Sequence, residues 1–345
     1  MDPQGVGQER VDQQLKPEYP PRRNITAFII IGVVFFILLI VVIIIFFLVR
    51  ARTNTAQQQG NISTLTPLPV PSFYELVTQD IQSQEVKLAE LEKDMRALDE
   101  MLVYESVNFS DVLTPPPVQT PEWVAQKMEI AKKRAELEID RRIATLDKLS
   151  PKIVLAKKLS SAQKSQLTNE VEAQISSLSS LRELVSGQTN FGVLIADINI
   201  LSDFYKNYQV VVPKVYIAIV ADKINVLGDA FAGIAGKMTQ KTGELRALGK
   251  DVVSLQKTLG HMLYVLGDAA NKAENALIAV LPLSAQDYPK NKPVLFDAKS
   301  KVQVSRRNLS LALSDARNIL STLKAIESGK APSGNFFQFL PIFRF

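Results

Sequence analysis

The stretch FYKNYQVVVPKVYIAIV, Phe204 to Val220, decides how the second half of the chain is read. Its valines and tyrosines suit a pleated strand by composition. Pro213 lies inside it, however, and proline has no donor to give a central ladder. Beyond it, Tyr216, Val220, Leu227, Phe231, Ile234 and Met238 recur at helical steps. Pro213 is therefore read as opening a long helix, where a missing N–H is tolerated. The preceding segment, with Phe191, Leu194, Ile198 and Leu201, reads as a separate, shorter helix.

Working outward, the same period recurs. Val252, Leu255, Leu259, Met262, Leu266, Ala269, Ala273, Ala276 and Val280 form the most regular stripe, with small residues toward its end. Val302, Leu309, Leu313, Ala316, Leu320 and Leu323 predict a final long helix. Upstream, Ser161 to Val185 carries an apolar face. Thr120, Pro121 and Glu122 supply a cap, a first-turn proline and an early acid for another helix. No such stripe is stable alone in water, and together they can bury a shared core. The fold class is all-α: a multi-helix antiparallel bundle or coiled-coil-like domain over residues 122–328.

The N-terminal third reads differently. Residues 25–49, ITAFIIIGVVFFILLIVVIIIFFLV, carry no charge. At about 1.5 Å per residue they exceed the roughly 30 Å hydrocarbon core of a bilayer. The run predicts a single N-terminal transmembrane helix contacting membrane lipid. Arg10, Lys16, Arg22 and Arg23 before it outnumber Arg50 and Arg52 after it. The positive-inside rule then makes residues 1–24 a short cytoplasmic N-terminus and the rest extracytoplasmic, a single-pass cell-membrane topology. Residues 50–72, uncharged after Arg52 and with spaced prolines, read as a flexible linker. Leu88, Leu91, Met95, Leu98 and Leu102 give residues 73–109 an amphipathic, coiled-coil-like seam. Pro115 to Pro117 lie in a Pro-rich joint, 110–121.

The C-terminal tail, 329–345, holds Phe336, Phe337, Phe339, Phe343 and Phe345. It is too short, and too interrupted by Pro341 and Arg344, to cross a bilayer as a helix. Three destinations stay open for this aromatic latch: its own bundle, the bilayer interface, or a partner's groove.

Several segments carry a resemblance: LSSAQKSQLTNEVEAQISSLSSLREL, YQVVVPKVYIAIVADKINVL, DYPKNKPVLFDAKSKV and NLSLALSDARNILSTLKAI. In combination they are similar to a group of uncharacterised bacterial exported, predominantly helical proteins, over about residues 128–326. The resemblance implies a helical domain of the bacterial cell envelope and supplies no catalytic residue, cofactor or substrate.

Chemistry is sparse. The 345 residues contain no cysteine and one histidine, which excludes disulfide staples, thiol catalysis and thiolate or His-rich metal sites. The formal charge of +5 is too modest to argue for nucleic acid. His261 lacks a carboxylate within reach on its own helix, since Asp268 lies two turns away. It reads as a surface helical residue. Glu90 with Asp94, and Glu136 with Asp140, are ordinary helix-surface spacings. No phosphate loop, dinucleotide fingerprint or zinc-protease motif is present.

Lys290, Lys292, Lys299, Lys301, Arg306 and Arg307 form a basic cluster relieved only by Asp297. The expectation is a non-enzymatic, membrane-anchored scaffold or adaptor without a cofactor. The Leu88–Leu102 seam would serve self-association or dock on the bundle itself, and another envelope protein is a further partner. A cell-envelope module gripping anionic wall polymer or lipid through the basic cluster is the alternative, and a hydrolase is third.

Overall fold

The computed structural model describes residues 71–103, 109 and 120–329. Their helices run in chain order as α1 (Phe73–Val103), α2 (Pro121–Asp147), α3 (Ser150–Leu155), α4 (Ser161–Gly187), α5 (Phe191–Ala247), α6 (Val253–Val280) and α7 (Asn291–Glu327). A short 3₁₀ turn, Ala285–Asp287, joins the last two. The described residues make one compact unit.

The two helices read on either side of Pro213 are one. α5 is continuous for 57 residues with Pro213 inside it, roughly 85 Å at 1.5 Å per residue. An interior proline ordinarily costs a helix about 3 kcal/mol or more. Burial offsets that cost here, because every residue from Tyr208 to Asp222 is buried, whichever face it occupies. The stretch is apolar all round because it is surrounded all round. Every other described helix touches α5.

Two bundles share this spine. Along its N-terminal half, α2 runs parallel to α5, with Trp123 edge-on to Phe191 at 5.9 Å and Arg142 reaching the Leu201 carbonyl at 3.0 Å. α4 is antiparallel to both, joined to α5 through Asn190, whose side chain accepts from the amides of Gly192 and Val193. Along the C-terminal half, α1, α5, α6 and α7 form an up-and-down four-helix bundle. Ion pairs fix the register of α1: Asp80 with Lys237 and Asp94 with Lys223 to α5, Glu85 with Arg317 and Glu92 with Arg306 to α7. The α5–α6 joint closes on Gly249, at φ +73°. The amides of Gly249 and Lys250 bond back to Arg246 and Leu245, a pairing that uses glycine's left-handed freedom.

Local signals explain the other boundaries. Thr120 caps α2 by accepting from the Trp123 amide, with Pro121 following. Ser160 and Gln163 form a reciprocal capping box at α4. Pro151 sits in the first turn of α3.

The expected membrane-anchored architecture is corrected. Among the described residues no helix is long and apolar enough to cross a membrane. The reason is visible in α5, the most buried helix: its apolar stretch is short and is interrupted by Lys214, Asp222 and Lys223. The run Ile25–Val49, residues 1–24 and the linker up to Val70 lie outside the described residues. The fold is an all-α multi-helix bundle, and the anchor, the lipid contact and the single-pass extracytoplasmic localisation are withdrawn from the functional reading.

The seam on α1 packs into its own bundle. Leu88, Leu91, Met95 and Leu98 are buried, and Leu102 is half-buried against the same core. Leu91→Ala should therefore cost about 2–5 kcal/mol, while Val86→Ala, on the exposed face of α1, should stay within about 0.5 kcal/mol. Urea unfolding of the two variants checks the assignment.

Candidate docking groove

The loop between α3 and α4 crosses α5 where its all-round burial ends, and Asp222 pins it there. The backbone amides of Lys157, Lys158 and Leu159 all donate to the Asp222 carboxylate. A buried carboxylate held by successive amides needs no cation beside it. This anchor gives α4 a fixed start and leaves hollows on both sides of the crossing.

On one side, α5 and α6 splay apart around a groove of about 590 Å³. Gly228 and Ala232 form its α5 wall, and Gly267, Ala270 and Leu277 its α6 wall, with Leu159 and Gln163 of the α4 start closing one end. Asp229 on the rim pairs with Lys158. A Cβ added at Gly228 or Gly267, as at Gly233, Gly236, Gly243 and Gly260 elsewhere on α5 and α6, would meet nothing within 4 Å. Glycine in a helix interior costs roughly 0.5–1 kcal/mol relative to alanine, and the packing of this chain alone does not require it at either position. Leu263 lines this groove while 49% exposed, and its neighbour Tyr264, outside the lining, is 73% exposed. The recess therefore leaves an apolar side chain of its own wall in water.

On the other side, Asp94 of α1 receives Lys152 of α3 at 2.8 Å and Lys223 of α5. Burial pushes the Asp94 carboxyl up, but the hydrogen bonds and charges of the two ammonium groups outweigh it and hold its pKa below the ordinary carboxylate value. Above the hollow, α5 buries Lys214, only 1% exposed, which donates to Glu170 at 2.7 Å and to the Leu283 carbonyl at 3.2 Å. Arg142, equally buried, pairs with Glu138 at 2.8 Å and lies over the rings of Tyr205 and Tyr208. These buried charges are engaged in structural contacts.

Three of the six cluster residues are neutralised. Lys299 pairs with Asp99, Lys301 with Asp297 and Arg306 with Glu92. Lys290, Lys292 and Arg307 are exposed, and Lys292 lies over the Tyr288 ring. The sequence hides this because two of the partners, Asp99 and Glu92, sit on α1, about two hundred residues away. The Phe-rich tail, with Phe336, Phe337, Phe339, Phe343 and Phe345, lies outside the described residues.

His261 has a partner after all: its Nδ1 is 2.7 Å from Asp315 Oδ2 of α7, with the imidazole half-exposed. Periodicity marks neither this pairing nor the groove, whose lining is mostly small residues. Gly228 and Gly267 interrupt regular helices, but Gly233, Gly236, Gly243 and Gly260 do so in the same two helices, so the sequence does not single out the groove. Compared with protein-family models, curated proteins and solved structures, the chain matches none.

The Asp94 cluster sets a pH dependence. Its depressed pKa means that its stabilisation is fully present above the ordinary value of 3.8 and is lost as the pH falls through the lowered one. Asp94→Asn should destabilise by up to about 3 kcal/mol at neutral pH. In unfolding curves compared at successive pH values, that gap should narrow below about pH 4.

Proposed function

We propose that the protein is a non-catalytic helical docking module whose α5–α6 face pairs with the same face of a second copy of the chain. The observation that carries this reading is the groove between Gly228 and Gly267, open to a side chain that the chain itself does not supply. Leu263 lines that groove and is half-exposed in the single chain. A two-fold axis between two such faces covers the Leu263 of each copy against the recess of the other, as an isologous contact demands. Close backbone approach then rewards the glycines that a solitary bundle would not need.

Filling the recess tests this in the full-length chain. Gly228→Leu combined with Gly267→Leu adds bulk into open space, so helicity and melting temperature should be kept or raised. Mass by sedimentation should fall from dimer to monomer. A monomeric wild type, or a filled variant with unchanged mass, would contradict the reading.

A further inference from the structure

The hollow on the α1 side of the Asp222 crossing has the make-up of a small-molecule site. It encloses about 290 Å³ between α1, α3 and α5, near the lower end of such sites at about 300 Å³. Ile219, Val226 and Leu227 of α5 and Ala156 of the loop give it an apolar floor. Leu155 forms part of its wall while 75% exposed, an apolar side chain left in water by the chain's own packing. Four lysines surround that floor: Lys87, Lys152, Lys157 and Lys223.

The charges divide cleanly by use. Lys152 and Lys223 are committed to Asp94. The Asp222 carboxylate, also in the lining, is committed to the loop amides. Lys157 has no carboxylate partner among the described residues. Lys87 reaches only the Gln84 side-chain oxygen, at 3.4 Å. Glu90 is the remaining acid at the hollow, and it stands exposed on α1.

We propose that this hollow binds a medium-chain alkyl carboxylate, its head between Lys87 and Lys157 and its chain along Ile219, Val226 and Leu227, under Leu155. The cations select an anion, and the floor selects a tail. A bare anion leaves the floor wet, and a neutral chain forgoes the charge-assisted hydrogen bonds that the two ammonium groups can give a carboxylate. The site is separate from the α5–α6 groove and stands whether or not that face pairs.

Calorimetry on the full-length chain, with octanoate, hexanoate, octan-1-ol and acetate as probes, tests the proposal. Octanoate should bind saturably at one site per chain. Each methylene removed should weaken binding about fourfold, which places hexanoate, two methylenes shorter, about fifteenfold weaker. Acetate and octan-1-ol should show no saturable binding in the same range. Lys87→Gln with Lys157→Gln, both at exposed positions, should weaken octanoate at least tenfold, and filling the α5–α6 groove should leave it unchanged. Absence of saturable octanoate binding, equal binding of acetate or octan-1-ol, or an unaltered affinity in the double glutamine variant would each overturn it.

Discussion

From Tyr208 to Asp222, α5 has no side that faces water. A helix in that situation cannot be amphipathic, and it must be enclosed by neighbours on every face. The surrounding elements do that: α2 and α4 from one bundle, α1, α6 and α7 from the other, with the 3₁₀ turn between. One helix thus serves two cores, and the enclosure lets Pro213 remain inside it. Asp222, at the end of this stretch, fixes the loop, and the groove and the hollow lie on either side of it.

Enclosure also dictates the polar chemistry. Lys214 and Arg142 are too long and too charged to be buried without partners, and each has them, in Glu170 with the Leu283 carbonyl and in Glu138 with the Leu201 carbonyl. Asp222 solves the same problem with amides instead of a cation. That choice clamps the α3–α4 loop across the spine. The clamp creates two hollows of opposite character: one walled by glycine and alanine on the α6 side, the other ringed by lysine on the α1 side.

Much of this fold could be read in the residues. The stripes from Val252 to Val280 and from Val302 to Leu323 lie where the core is, and Thr120, Ser160 and Gly249 mark helix ends by local chemistry alone. The continuity of α5 could not be read, because proline's local penalty is visible in sequence and the enclosure that offsets it is not. The same limit applies to charge. Lys299 and Arg306 look like a free basic cluster until α1 brings Asp99 and Glu92 against them. His261 looks solitary until α7 brings Asp315. The groove is the least legible feature, since its signature is missing side chains at Gly228 and Gly267.

The central claim is that α5 is one unbroken helix through Pro213. Because the chain has no cysteine, spin labels can be placed singly at Asn199→Cys and Gln240→Cys, exposed positions on either side of the enclosed stretch, and the distance between them measured by pulsed electron resonance. A continuous helix predicts a narrow distribution near 60 Å, from about 1.5 Å of rise per residue. A broad distribution, or one centred below about 45 Å, would mean that the chain turns at Pro213 and would contradict the shared spine.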